Sequence, residues 1–208
     1  MTRPVVAVLD YGIGNLRSAQ KALDRVGADA RLTADASDIA SAAGVVLPGV
    51  GAFGRCTEAL GESGLTEIAR AAAAEASDGG RPFLGICVGL QLLYTGSDES
   101  PGVDGLGIVE GRVEALSGDV KRPQMQWNRL DHVVGHPLFR GIEEEAWAYF
   151  VHGYAAPVGP TTVATCEYGS TVCAAVACGN LWATQFHPEK SGEVGLQVLR
   201  NFVDRLAA

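Results

Sequence analysis

One stretch constrains the fold of this chain more than any other: Pro82-Phe83-Leu84-Gly85-Ile86-Cys87-Val88-Gly89-Leu90-Gln91-Leu92-Leu93. Pro82 to Ile86 reads as a short buried strand, and Val88 to Leu93 as the start of a helix. Cys87 falls at the turn between them, with Gly85 and Gly89 on either side. A sharp strand-to-helix turn crowds the backbone, and residues without a Cβ let neighbouring segments approach. The turn also pushes the central side chain out of the sheet, at the positive end of the helix that follows. Both features favour thiolate over thiol at Cys87. A free cysteine is more often a small apolar filler, so reading Cys87 as a nucleophile requires a partner base elsewhere.

The segments before this elbow alternate in type. Val5-Val6-Ala7-Val8-Leu9 is a continuous apolar run, as expected of a strand buried on both faces of a parallel sheet. After Asp10-Tyr11-Gly12-Ile13-Gly14-Asn15, the residues Leu16, Ala19, Leu23 and Val26 share one helical face, and Gly27 is placed to cap that helix. Gly12 and Gly14 read as a tight turn. The third glycine of a dinucleotide-binding fingerprint is missing, because Arg17 stands there. Ala28 to Thr33 reads as an edge-like strand. Gly44-Val45-Val46-Leu47 is a third strand, followed by Pro48-Gly49-Val50-Gly51-Ala52-Phe53. Helix is expected from about Arg55 and again from Leu65 to Ala76, with Gly79-Gly80 as the break before the elbow strand.

That alternation predicts a mostly parallel central sheet with helices on both faces. Sites in such sheets lie at the carboxyl ends of the strands, where Asp10, Pro48 to Gly51 and Cys87 all fall. Beyond Thr95 the texture changes to Gly-rich turns between short runs: Ile108-Val109 with Arg112-Val113, Tyr149-Phe150-Val151, Val163-Ala164-Thr165 and Val172 to Val176. These read as antiparallel strands and hairpins. Leu181 to Phe186 returns to the core, and Val194, Val198, Phe202, Val203 and Leu206 suggest a final packed helix. No repeat or linker divides residues 1–208, so one domain is expected.

Composition narrows the function classes. The net charge of -8 argues against a nucleic-acid surface. No apolar run approaches the ~18 residues of a membrane span, and the first residues lack a signal-peptide layout. The cysteines are five, an odd number, and no two have C-x-x-C spacing. A disulfide framework or zinc site is therefore not expected, and a reduced cytoplasmic enzyme fits.

The partner base is His187, in Thr184-Gln185-Phe186-His187-Pro188-Glu189-Lys190. A thiolate nucleophile needs an imidazole to hold its proton and then pass it to a leaving group. The imidazole needs an acid on its other nitrogen. Residues two apart in extended chain point the same way, so His187 and Glu189 can share a side. Acyl chemistry further requires an oxyanion hole. Two candidate sources of donors are the backbone N–H of Val88, which follows the nucleophile, and the main-chain N–H groups of the Pro48-Gly49-Val50-Gly51 turn.

Taken in order, Asp10-Tyr11-Gly12-x-Gly14-Asn15-Leu16, Pro48-Gly49-Val50-Gly51-Ala52-Phe53, Gly85-Ile86-Cys87-Val88-Gly89-x-Gln91, Trp127-Asn128, Tyr149-Phe150-Val151-His152-x-Tyr154 and Gln185-Phe186-His187-Pro188-Glu189-Lys190-Ser191 span nearly the whole chain. This set resembles the class I, triad-type glutamine amidotransferases, and within them the glutaminase subunits of imidazole glycerol phosphate synthase. The resemblance implies a flavodoxin-like α/β fold with antiparallel C-terminal strands. It implies that Cys87 attacks the glutamine side-chain amide, that main-chain N–H groups near Val50 and at Val88 stabilise the oxyanion, that His187 shuttles the proton and that Glu189 orients His187. It also implies that Gln91, Gly51 and the backbone around Gly153 and Tyr154 hold glutamine. Asn15, Trp127, Asn128, Tyr149 and Lys190 would face a separate (β/α)8-barrel cyclase subunit, which receives the ammonia. No metal or organic cofactor is implied.

Two positions depart from the family pattern. Gln126 stands where a Gly is frequent in a His-Met-Gly-Trp-Asn segment, and Gly153 stands where a Ser or Thr is usual. A hydroxyl contact to glutamine at that second position is therefore absent. The alternatives are another glutaminase subunit, such as that of pyridoxal phosphate synthase, a cysteine peptidase or redox chaperone on a similar fold, and a binding module without catalysis. The first should lack the Asp10 to Asn15 segment and the Met-x-Trp-Asn segment. Gln91 and His187-Pro188-Glu189 argue against the second, and the complete Cys-His-Glu set against the third.

Overall fold

The computed structural model describes residues 2–133 and 135–206. Its first half alternates as expected: β1 (Val5–Leu9), α1 (Leu16–Arg25), β2 (Asp29–Thr33), α2 (Ala36–Ser41), β3 (Gly44–Gly49), α3 (Phe53–Glu62), α4 (Thr66–Ser77), β4 (Phe83–Cys87) and α5 (Val88–Gln91). The second half is strand-rich: β5 (Gly96–Ser97), β6 (Arg112–Ala115), β7 (Gln124–Arg129), β8 (Asp131–His132), β9 (Trp147–His152), β10 (Tyr154–Ala155), β11 (Thr162–Glu167), β12 (Thr171–Cys178) and β13 (Leu181–Thr184). The closing helix is α6 (Gly192–Arg205).

The large sheet runs β2-β1-β3-β4-β13-β12-β11-β8. Its first five strands are mutually parallel, and β12, β11 and β8 continue it antiparallel. The chain moves one way from β1 to β2 and the other way from β3 to β4. Right-handed crossovers therefore put the intervening helices on opposite faces. Accordingly α1 packs with α6, and α3 with α4. The reversal of strand order lies between β1 and β3, where a crevice opens at the carboxyl ends. Val45, Val46, Leu47, Phe83, Leu84 and Ile86 are buried almost completely, each contributing about 1.5–3 kcal/mol, and they anchor the strands that end at Pro48-Gly49 and Cys87.

Three details depart from the sequence expectation. Ile108 and Val109 form no strand: their amides both bond to the Leu93 carbonyl, at 2.8 and 2.9 Å. Gly107, at φ 67°, turns the chain into that arrangement. The helix after Cys87 is short. Val88–Gln91 is α5, and Leu92 and Leu93 continue only as turns, so its contribution to thiolate stability is small. Finally, Gln124–Arg129 is a strand, pairing antiparallel with β9 from Gln124↔His152 to Arg129↔Trp147.

Candidate active site

Register places the candidate nucleophile. Beside β4, strand β3 pairs Gly49 with Cys87. On the other side, β13 pairs Thr184 with Ile86, so Gln185 and His187 emerge next to Cys87. Cys87 has φ 56° and ψ -109°. Among the described residues it is the one non-glycine with positive φ. Backbone held there costs on the order of 1–3 kcal/mol and persists only where its surroundings enforce it. The enforcement is visible as close approach. A Cβ at Gly89 would lie 1.8 Å from the Leu47 carbonyl oxygen, and one at Gly85 would lie 2.9 Å from the Gly89 oxygen. A Cβ at Gly49 would meet the Gly89 nitrogen at 2.8 Å. Three glycines thus let β3 and the elbow interlock.

His187 and Glu189 come together differently from the extended-chain expectation. Pro188–Lys190 is a single 3-10 turn, with His187 just before it at φ -95°, ψ 98°. The Ser191 hydroxyl locks the turn, donating to the His187 carbonyl at 2.7 Å and accepting from the Tyr149 amide at 2.9 Å. Within it, His187 Nδ1 lies 2.8 Å from Glu189 Oε1. A carboxylate accepts, so Nδ1 carries the proton and Nε2 is left for Cys87. Nε2 is buried and closes no hydrogen bond. Burial pulls the imidazole pKa down, but the Cys87 sulfur and the Glu189 carboxylate together outweigh it and lift the value to about 9. An imidazolium beside a sulfur nucleophile is thereby favoured at neutral pH.

Cys87 and His187 open into a cavity of about 400 Å³, also lined by Gly14, Asn15, Val50, Gly51, Val88, Gln91, Glu99, Val151, His152, Gly153, Tyr154 and Lys190. Every candidate substrate and oxyanion residue therefore lies on one wall or another. Gly51, at φ 87°, makes the bend after β3 that aims this loop at the thiol. Gln91 donates through Nε2 to the Tyr154 carbonyl at 2.9 Å and to Gln185 Oε1 at 3.1 Å. The same Tyr154 carbonyl lies 2.9 Å from His152 Nδ1. Burial, partly offset by that bond and reinforced by the charge of His187, lowers the His152 pKa to about 4, so His152 is neutral.

The candidate partner-facing residues divide. Asn15 and Lys190 line the cavity itself. Trp127 is 48% exposed on β7 and meets Tyr149 edge-on, with ring centroids 6.1 Å apart. Asn128 turns back into its own chain, donating to the Glu167 carbonyl at 2.9 Å. The β7–β9 ribbon also exposes Met125 and Trp147.

Glu99, unmarked in the sequence reading, accepts from the Phe53 amide at 2.7 Å and presents a carboxylate to the cavity. Its only sequence signal is a polar loop, Ser97 to Ser100, after the elbow helix. Gln185 was visible as part of a motif but without a role. It donates to Cys87 Sγ at 3.6 Å.

Residues 7–206 match the family model described as glutamine amidotransferase class-I. The chain belongs to the class I glutamine amidotransferases. Among curated members, it is 47% identical over 210 residues to the imidazole glycerol phosphate synthase subunit HisH of Syntrophotalea carbinolica, covering 96% of this chain and 100% of that one. The equivalent subunit of Deinococcus radiodurans is 47% identical over 208 residues, covering 98% and 95%. A solved structure described as a glutamine amidotransferase superposes with a TM-score of 0.75 over 98% of this chain and 99% of that one, at 20% identity. That last likeness carries the amidotransferase fold alone. No helix among the described residues of this amidotransferase is long and apolar enough to cross a membrane.

Proposed function

We propose that this amidotransferase is the glutaminase subunit of an imidazole glycerol phosphate synthase, acting in histidine biosynthesis. The observation that carries the reading is the His187–Glu189 pair, closed at 2.8 Å in the cavity that holds Cys87. The near-full-length similarity to subunits of that name supports the pathway.

Cys87 Sγ adds to the side-chain carbonyl carbon of glutamine. The oxygen that becomes negative is met by the backbone N–H groups of Val50 and Val88. The C–N bond then breaks, and His187 Nε2 gives its proton to the departing nitrogen, which leaves as ammonia. A water loses a proton to the same Nε2 and adds to the thioester. The C–S bond breaks, its electron pair returns to sulfur, and glutamate leaves. Glu189 keeps the imidazole oriented throughout. Glutamine enters as a zwitterion: Glu99 is the counter-charge for its ammonium group, while Gly51, Gln91 and the Gly153-Tyr154 backbone fix the rest.

Ammonia passes to a separate (β/α)8-barrel cyclase. There it reacts with a phosphoribulosyl-formimino carboxamide nucleotide to give imidazole glycerol phosphate and aminoimidazole carboxamide ribotide. The cyclase seats on the ribbon side, against Trp127, Tyr149 and Lys190. A cytoplasmic setting fits five cysteines that are all unpaired.

The test mixes the chain with candidate cyclase subunits and measures conversion of glutamine to glutamate with and without the nucleotide ligand. Stimulation is expected, because release of ammonia without an acceptor wastes glutamine and the two sites are coupled. Cys87→Ala should abolish glutaminase activity, keep cyclase binding and leave the ammonia-dependent reaction of the pair intact. Glutamine hydrolysis that survives in Cys87→Ala, or a rate indifferent to every cyclase, refutes the reading.

A further inference from the structure

Gln185 is completely buried at the end of β13, and the mechanism above gives it no task. Its side chain nevertheless bridges the residue that reads substrate and the sulfur that reacts. The hydrogen bonds fix which end of the amide faces which neighbour. The Tyr154 carbonyl can only accept, so the Gln91 atom 2.9 Å from it is the nitrogen. The second N–H of that group reaches Gln185 at 3.1 Å, so the Gln185 atom there is the oxygen. This leaves the Gln185 NH2 group as the atom 3.6 Å from Cys87 Sγ. Turning either amide over would set donor against donor or acceptor against acceptor. The Gln185 backbone is tied as well, through its amide to the Ala174 carbonyl at 2.8 Å.

We propose that Gln185 is a catalytic residue of the glutaminase site: its carboxamide N–H donates to the Cys87 sulfur and stabilises the thiolate, and Gln91 holds it in that orientation. The inference rests on the assignment of Cys87 as the nucleophile. A donor aimed at sulfur acts twice in the reaction. It favours the charged nucleophile before attack, and it receives the electron pair when the C–S bond of the thioester breaks. Hydrogen bonds to ionised groups are stronger than those to neutral ones, so the interaction gains strength whenever sulfur is negative. The adjacent imidazolium of His187 supplies charge on one side, and the Gln185 amide supplies a directional donor on another. The α5 helix is too short to supply much. The chain Tyr154–Gln91–Gln185–Cys87 also links the substrate wall to the nucleophile, so misplacing Gln91 should loosen the donor on the sulfur.

The experiment follows alkylation of Cys87 by iodoacetamide as a function of pH in the full-length chain, read from the Cys87 peptide by mass spectrometry. The wild type is compared with Gln185→Met, which keeps the length and removes the amide. A second variant, Gln185→Glu, keeps the shape and the acceptor toward Gln91 but lacks the donor. Glutaminase kcat/KM is measured in the complex with the cyclase, and circular dichroism checks the fold. The expected result is an alkylation midpoint about one pH unit higher in whichever variant folds, with alkylation about ten-fold slower at every pH below the wild-type midpoint and kcat/KM down by ten-fold or more. A folded variant with the wild-type midpoint and wild-type kcat/KM overturns the proposal and makes Gln185 a packing residue. Cys87→Ala separates the two failures. If it is inactive while the Gln185 variants are normal, only this inference falls. If it stays active, the reading of Cys87 falls first.

Discussion

The Tyr11 hydroxyl donates to the Pro48 carbonyl at 2.6 Å in a buried position. Two residues on, the Cys56 thiol donates to the Val50 carbonyl at 3.2 Å. These bonds pin the carbonyls on either side of the Gly49–Val50 peptide, whose N–H is the proposed oxyanion donor. Removing the hydroxyl leaves a buried carbonyl without its partner, at a cost of about 1–3 kcal/mol, and frees one end of the loop. Tyr11→Phe should therefore lower unfolding free energy by that order, read in urea. It should also reduce cyclase-stimulated turnover by about ten-fold, less than the 10²–10³ reported by loss of a whole donor. Equal turnover in the folded variant would show that the Pro48 anchor does not govern the loop.

The backbone of Val50, not its side chain, is the group expected to matter. Val50→Ala should keep most of the stimulated activity. Val50→Pro removes the N–H and restricts Gly49 as well. Its stimulated turnover should fall by about 10²–10³, with cyclase affinity and circular dichroism unchanged. Close contact reinforces this expectation. A Cβ at Gly49 would press on Val88 and Gly89, so the peptide between Gly49 and Val50 sits directly against the elbow. A well-folded, cyclase-binding Val50→Pro variant with normal stimulated turnover would place the donor elsewhere.

The parallel half of the fold was readable because β1, β3 and β4 are apolar runs buried on both faces, and alternation of such runs with helices admits few topologies. The ribbon strand β7 was not. Gln124-Met125-Gln126-Trp127-Asn128-Arg129 is polar and mostly exposed, so its strand character comes from pairing with β9 and leaves no period-2 trace. The same division holds at the site. Cys87, His187 and Glu189 announce themselves by residue type and local motif. Gln185, Glu99 and Tyr11 are defined by neighbours 98, 46 and 37 positions away, and only register brings those together. The His187–Glu189 proximity was expected from extended chain, whereas a proline-led 3-10 turn achieves it.

Gly153 lines the cavity at a position where the family resemblance leads to the expectation of a Ser or Thr. A Cβ there would meet nothing within 4 Å, and the residue is not in the left-handed region. Gly153→Ser should thus fold without strain and raise the melting temperature slightly, because a side chain narrows the unfolded ensemble by about 0.4–1 kcal/mol. If the new hydroxyl reaches glutamine, one neutral hydrogen bond of about 1 kcal/mol lowers KM roughly five-fold. Steady-state kinetics in the cyclase complex decide. An unchanged KM with a raised melting temperature would put the glutamine backbone contacts out of reach of this position.

His152 should make stability fall on mild acidification. Its pKa is near 6.5 in the unfolded chain and about 4 in the fold, where burial disfavours the charged ring. The unfolded state therefore binds the extra proton first. The stability His152 contributes is complete above pH 6.5 and is lost as pH falls toward 4. Between pH 7 and pH 5 the loss is about 2 kcal/mol. His187 has the opposite sign: its pKa is raised to about 9, so its contribution is full below 6.5 and declines only as pH rises toward 9. Between pH 7 and pH 5 it grows by about 0.8 kcal/mol as the pH passes 6.5, and this change is common to the wild type and to a His152→Gln variant. Asp29 and Asp35, whose pKa values are lowered by hydrogen bonds to Arg31 and to Ser37, lose their contributions below the ordinary carboxylate value, outside that window. His136 is lowered by burial and acts in the same direction as His152, but it is retained in a His152→Gln variant. Gln still offers an N–H to the Tyr154 carbonyl and does not titrate. Urea unfolding at pH 7 and pH 5 should therefore show a wild-type loss that shrinks by about 2 kcal/mol in His152→Gln. Equal losses in the two proteins would mean that His152 is protonated in the folded chain at pH 5, contrary to its buried neutral state.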